Sequence, residues 1–384
     1  MAKKRANGEG TVNKLPSGSW CAQLSLEGKR MSKAFATQKE ALTWIRKMRG
    51  QVDEGLTYAY TKLTLGEFMK DWLTSTQSSK RPSTWKQQSQ ATKKHILPRL
   101  GAIKLTSLKA EHIQAFYNKL LEEGTGIYTI LKIHDILRSA LQHANRLGIL
   151  NRNPASVVNV PKAPAKEMAI LDESQVSQFL VSVTGHRWEA LFVLAIGTGA
   201  RQMELLGLKW SDVDWTRQTI KIERQLQRPD RSEARFAAPK TRYGKRTIPL
   251  GERSIAILRN HYRLQQAEQK AAGDAWQDNG LIFTTSNGTP IHPRNLLRDF
   301  KILLRNAGLP EIRFHDLRHT AASLMLNNGI APIAVSRRLG HAKASITLDV
   351  YGHLIPTMQA EVADKIDDLV IPIAVQINPT EVNR

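Results

Sequence analysis

His315-Asp316-Leu317-Arg318-His319-Thr320-Ala321-Ala322 is the stretch from which the rest of the chain is best read. A helix is predicted over Leu317–Asn328 and another over Ala331–Leu339, so His315 and His319, four residues apart, share a helical face. Downstream stand Leu339-Gly340-His341, with His341 23 residues after Arg318, and Tyr351-Gly352-His353, with Tyr351 ten residues after His341. Upstream stand Thr198-Gly199-Ala200-Arg201-Gln202-Met203-Glu204-Leu205-Leu206 and Pro239-Lys240-Thr241. Arg, Lys, His and Tyr therefore recur at marked positions through one block that mixes helices with short strands.

The surrounding pattern predicts a multidomain α+β chain. Strand-like runs at Gly10–Lys14, Trp20–Leu26 and Arg30–Phe35 are separated by turns, and Thr37-Gln38-Lys39-Glu40 has the form of a capping box. Ala41, Leu42, Ile45 and Met48 follow at helical spacing, giving a three-stranded sheet with one helix. Gln51–Lys62 reads as a linker. A helical block follows, capped at Thr64-Leu65-Gly66-Glu67, with Leu65, Phe68, Met69, Trp72 and Leu73 on one side. Its further helices are predicted near Ser83–Ile96, Ala110–Glu123 and Tyr128–Leu147. Asn151–Lys166 carries three prolines and reads as a second linker. The last block has helices near Glu173–Val183, Trp188–Ile196, Met203–Leu208, Glu252–Gln269 and Pro293–Ala307, with strands near Thr219–Glu223 and Arg246–Leu250. The expected domains are 1–57, 63–160 and 167–360, followed by a tail at 361–384.

Charge is the outlying feature of the composition. Among 384 residues the formal net charge is +22, whereas the hydrophobic share of 41% is ordinary for a globular protein. By region the net charge is +6 for residues 1–60, +11 for 61–166, +8 for 167–360 and −3 for 361–384. Positive charge spread over three blocks points to a chain that embraces a polyanion, nucleic acid above all. A solvated basic surface is the plain alternative. The −3 tail reads as a segment that avoids DNA and seeks protein.

Other classes lose ground. No apolar run has the length of a membrane span, and the basic start Met1-Ala-Lys-Lys-Arg lacks the apolar core of a secretory signal. The single cysteine, Cys21, makes no internal disulfide or cysteine-based zinc site, and reads as a small buried strand residue. That usage fits a reducing cytoplasm. There is no His-Glu-x-x-His and no glycine-rich phosphate loop ending in Gly-Lys-Ser or Gly-Lys-Thr. His315 and His319 alone are a weak zinc pair. No cofactor and no metal is expected.

The ordered series Arg201, Lys240, His315, Arg318, His341, Tyr351 resembles the catalytic pattern of the tyrosine recombinases, the integrase family of site-specific DNA recombinases. The resemblance covers about half the chain for catalysis. The helical block, with His95-Ile96-Leu97-Pro98-Arg99-Leu100-Gly101, resembles the family's core-binding domain. The first block resembles, more weakly, the small sheet domain that integrases of mobile elements use at arm-type sites. Ala200 departs from the leucine often found there and, being apolar, changes little.

The resemblance implies a chemistry that suits these residues. Attack on a phosphodiester builds negative charge, which cations must meet where no metal does. Arg201 and Arg318, always charged and able to donate paired hydrogen bonds, would grip the non-bridging oxygens. Tyr351 would be the nucleophile, forming a 3′-phosphotyrosine, with the two arginines favouring the phenolate. His315 would be general base, Lys240 the acid for the leaving 5′-oxygen, and His341 a phosphate donor or a support for Tyr351. Plainer readings stand beside these. Arg201 pairs with Glu204; Arg242 or Lys245 replaces Lys240; Tyr351 is a core aromatic. His319 reads as a helix or core residue, and Trp210 and Trp215 as core.

The expected function is integration and excision of a phage or integrative element without metal or ATP, in a bacterial cytoplasm at the nucleoid. Expected partners are double-stranded DNA at core-type and arm-type sites, a homo-tetramer on DNA, a host bending protein and a directionality factor, with no membrane. A type IB topoisomerase and a non-catalytic DNA-binding regulator are the competing readings.

Overall fold

The computed structural model describes residues 10–26, 29–53, 62–164, 169–227, 234–239, 242–351 and 366–370. The chain divides into two compact units, Met1–Ala165 and Lys166–Arg384.

The first unit begins with an antiparallel sheet of β1 (Thr11–Lys14), β2 (Trp20–Leu26) and β3 (Lys29–Phe35), in that order. Trp20 faces Phe35, and Leu24 faces Met31. The β1–β2 turn closes through Leu15 N–H to the Ser19 carbonyl at 2.7 Å, with Gly18 at φ +84°. Helix α1 (Gln38–Asp53) starts at a true capping box: Glu40 N–H donates to Thr37 Oγ1, and Thr37 N–H to Glu40 Oε2. Ala41, Ile45 and Met48 are buried against Ala22 and Leu24. Leu42 breaks the expected stripe and is exposed, because this thin sheet covers only a narrow arc of the helix. Cys21 lies on β2, half-buried.

The helical remainder has its own core. Helix α2 (Leu65–Ser75) is capped reciprocally by Thr64 and Glu67 and buries all five residues of its predicted apolar side. Helix α3 (Pro82–Ala91) runs into a widened π turn at Thr92–Ile96 and then α4 (Leu97–Leu100), where one continuous helix was expected. The widening precedes Pro98, which has no N–H to give the turn before it. Helices α5 (Ala110–Glu122) and α6 (Ile127–Arg146) complete the core through Ile113, Tyr117, Leu120, Ile133, Leu137 and Leu141. Within that core Tyr117 Oη and His134 Nδ1 pair at 3.1 Å.

The second unit is built around one apolar helix. After α7 (Glu173–Ser182), helix α8 (Glu189–Thr198) is apolar all round and accordingly central, with Leu191 and Phe192 fully buried. Its C-terminus turns at Gly199 into the short α9 (Gln202–Leu205). A sheet in the order β4 (Val213–Asp214), β5 (Thr219–Ile222), β8 (Arg246–Pro249) and a two-stranded ribbon of β6 (Gln225–Gln227) and β7 (Arg235–Ala237) follow. Then come α10 (Glu252–Ala272), α11 (Pro293–Asn306), α12 (Asp316–Asn327), α13 (Pro332–Leu339) and α14 (Ala344–Tyr351). Phe179, Phe192, Phe300 and Phe314 interlock with ring centroids 5.0–6.2 Å apart. Trp210 and Trp215 pack against this core. Most of the tail lies outside the described residues; the helical turn at 366–370 exposes Ile366, Leu369 and Val370. Among the described residues no helix is long and apolar enough to cross a membrane.

Candidate active site

The site forms where chain reversals bring four separate segments onto α12. Gly199 ends α8 at φ +62°, and a Cβ there would lie 2.3 Å from Leu339 Cδ2. Only glycine accepts both that backbone and that approach. The turn sets Arg201 at the N-cap of α9, where its N–H and Nη1 both donate to Glu204, at 3.1 and 2.8 Å. The Arg201 side chain remains 40% exposed while Glu204 is buried, so the guanidinium is aimed but open. The expected structural pairing with Glu204 thus exists and serves to orient the cation.

Glu204 also receives Arg246. Arg246 Nη2 donates to Glu204 Oε2 at 3.1 Å, Nε to the Arg338 carbonyl at 2.7 Å, and Nη1 to the Gly244 carbonyl at 3.0 Å. Arg246, one of the basic residues around Lys240, is a buried brace between β8, α9 and α13. Lys240 and Thr241 lie outside the described residues. The substitutes considered for Lys240, Arg242 and Lys245, are exposed.

Helix α12 supplies three residues. Asp316, in its first turn, accepts from the Arg313 N–H at 2.8 Å and from the Arg313 guanidinium. Arg318 is 3% exposed. Its Nη1 donates to the Gly199 carbonyl at 2.7 Å, and its buried Nη2 has no hydrogen-bond partner. Burial, and then the positive charges of Arg201 and Arg246, push Arg318 down to about 9; Glu204 and Tyr351 oppose this only in part. Three guanidiniums share one carboxylate, so the site is short of negative charge.

The histidines are held neutral. Burial first, then His319, Arg318 and Arg201, push His315 down to about 4. Burial, then Arg318, Arg201 and Arg246, do the same to His341. His341 follows Gly340, whose φ of +72° reverses the chain after α13, and its Nδ1 is 2.8 Å from Thr347 Oγ1.

Tyr351 ends α14 with its ring against Ala322, Leu326, Val335 and Leu339. It is 2% exposed, and burial raises its phenol to about 12 although Arg318 pulls the other way. The arginines were expected to favour the phenolate. Arg318 acts in that direction, but desolvation outweighs it, so the phenol is neutral and needs a base. The group at its hydroxyl is His319, whose Nδ1 lies 2.6 Å from Tyr351 Oη. His315, expected as base, sits one step back, with its ring 5.2 Å from that of His319. Five of the six predicted residues thus share one electrostatic neighbourhood, and His319, read as a core residue, joins them. Among the described residues no cluster of three or more His, Cys, Asp or Glu is placed to hold a metal ion.

Such a cluster of cations and neutral histidines around a buried tyrosine fits covalent phosphoryl transfer. Residues 169–357 match the model of the phage integrase family, and residues 64–121 match that of the phage integrase N-terminal SAM-like domain. A tyrosine recombinase XerC-like protein of Caldanaerobacter subterraneus subsp. tengcongensis is 31% identical, over 90% of this chain and 91% of its own. The ICEBs1 integrase of Bacillus subtilis is 26% identical over 94% of this chain and all of its own. In fold, the chain resembles the Tn1549 transposon integrase in complex with circular intermediate DNA (TM-score 0.69, 21% identity, 79% of this chain and 99% of that one). It also resembles a lambda integrase tetramer bound to a Holliday junction (TM-score 0.58, 18% identity, 90% and 96%). The chain belongs to the phage integrase family of tyrosine recombinases. It is an enzyme of site-specific DNA recombination and integration.

Proposed function

We propose that Tyr351 is the nucleophile that cuts DNA, leaving a 3′-phosphotyrosine and a free 5′-hydroxyl, and that Arg201 and Arg318 bind the scissile phosphate. The carrying observation is the buried, unpartnered Nη2 of Arg318 in a site with too little negative charge. A phosphodiester supplies the missing anion and the missing acceptor together. Charge on the phosphoryl oxygens grows in the transition state, so each guanidinium binds it more tightly than the ground state. Loss of one such donor costs about 2.7–4 kcal/mol, or 10²–10³ in rate. His341, with Nδ1 engaged by Thr347, has Nε2 left for a phosphate oxygen. His315 is a neutral imidazole beside the same phosphate. Lys240 is the proton donor to the leaving 5′-oxygen. The phosphodiester energy is kept in the tyrosyl bond, so rejoining needs no ATP.

The rest of the chain serves strand exchange. Residues 1–57 bind arm-type sites and residues 63–160 clamp the core site, where the +11 charge of residues 61–166 gives salt-dependent, sequence-independent affinity. The 361–384 tail docks onto another protomer within a tetramer, assisted by a host bending protein and a directionality factor. The element is a phage or an integrative element, acting in a bacterial cytoplasm at the nucleoid. Incubation with a nicked attachment-site duplex, which traps the covalent complex, tests the nucleophile by comparison with Tyr351→Phe. A topoisomerase reading would require relaxation of supercoiled DNA without exchange of strands.

A further inference from the structure

We propose that His319 accepts the phenolic proton of Tyr351 as the tyrosine attacks, and that His315 acts at one remove. The inference rests on Tyr351 being the nucleophile. Its basis is geometric: His319 Nδ1 lies 2.6 Å from the Tyr351 hydroxyl, and the two ring centroids are 5.7 Å apart. That distance is within the range of a direct proton transfer. The tyrosine ring has little freedom to choose another partner, because α12 and α13 enclose it through Ala322, Leu326, Val335 and Leu339. His319 follows Arg318 on α12, so one helical turn presents both the phosphate-binding cation and the base.

The surroundings suit a neutral acceptor. Burial and the positive charges of Arg313 and Arg318 lower His319, while Asp316 opposes them. The other titratable groups facing it are His315, His341 and Tyr351. A neutral His319 with its proton on Nε2 offers the Nδ1 lone pair to the phenol. In the forward step the phenolic O–H breaks and its proton goes to Nδ1. The phenol oxygen forms the bond to phosphorus, and the bond to the 5′-oxygen breaks, that oxygen taking its proton from the general acid. In rejoining, the 5′-hydroxyl attacks and Tyr351 leaves, recovering its proton from His319. One proton is given and one received in each direction.

The test uses the full-length chain and a nicked duplex taken from a DNA joint that it makes in cells. His319→Gln keeps a hydrogen-bond acceptor near the phenol but takes up no proton, so it separates holding from proton transfer. Single-turnover cleavage by His319→Gln and His319→Ala is expected to fall by about 10²–10⁴ at pH 7. The deficit should shrink as pH rises and the phenol ionises by itself, and rejoining should fall by the same factor. A bridging 5′-sulfur leaving group, which needs no acid, should not restore the rate. Cleavage by His319→Gln within about threefold of wild type, with an unchanged pH profile, overturns the inference. An adduct formed by Tyr351→Phe would instead overturn the nucleophile assignment. Equal wild-type and His319→Gln rates with no adduct from Tyr351→Phe would remove only the role of His319.

Discussion

Arg318 donates from Nη1 to the Gly199 carbonyl at 2.7 Å, while its Nη2, equally buried, has no hydrogen-bond partner. One half of the guanidinium is fixed to the turn that presents Arg201, and the other half is available to an anion. Inorganic phosphate should therefore raise the melting temperature beyond chloride of equal ionic strength. At ten times Kd the stabilisation is about 1.4 kcal/mol. In Arg318→Gln the increment should vanish, which separates site binding from the general effect of phosphate on protein surfaces.

Glu204 holds both Arg201 and Arg246. Replacement by Ala leaves Arg246 buried with no carboxylate partner in the site, and about 3–5 kcal/mol of stability should be lost. Glu204→Gln keeps an acceptor and should lose less. Denaturant unfolding measures both, and an Ala variant as stable as wild type would refute the brace.

Acid should weaken the free enzyme through its histidines. His315 and His341 are pushed down to about 4 in the folded chain, against about 6.5 for an unfolded histidine. Between these values the unfolded chain binds more protons. Stability from this source is complete above pH 6.5 and is lost as pH falls toward 4. A His315→Gln/His341→Gln double variant should show a flatter melting-temperature profile over that window. Identical slopes would contradict the assignment.

The N-terminal sheet domain has a core of its own around Ala22, Ala41 and Ile45. On the proposed reading, in which residues 1–57 hold arm-type sites and so raise the effective concentration, removing residues 1–55 should spare cleavage of core-site DNA but reduce integration. Undiminished integration by the truncated chain would refute the two-site arrangement.

Much of this was legible in the chain, and the exceptions have physical causes. Capping pairs such as Thr64 with Glu67 and apolar stripes such as Leu65, Phe68 and Met69 carry local signals, and the structure follows them. Of the series singled out by its order and its resemblance, Arg201, His315, Arg318, His341 and Tyr351 fall within one electrostatic neighbourhood, and Lys240 lies outside the described residues. Arg246 was obscured by its basic neighbours, although alternation along β8 places it on the same face as the buried Ile248 and Leu250. His319 was harder. Its spacing from His315 indicates a shared helical face, but nothing local shows that Tyr351, 32 residues later, closes onto it. The ribbon of β6 and β7 and the π turn at Thr92–Ile96 are short features decided by tertiary contacts or by one proline.

Covalent attachment of Tyr351 to DNA is the step on which the proposed chemistry turns. The direct measurement is to trap the complex on a nicked attachment-site duplex, digest it with protease and nuclease, and locate the nucleotide-bearing peptide by mass spectrometry. A 3′-phosphonucleotide on Tyr351 and no adduct from Tyr351→Phe are expected. A nucleotide on Tyr243, Tyr262 or any other residue, or an undiminished adduct from Tyr351→Phe, would contradict that chemistry.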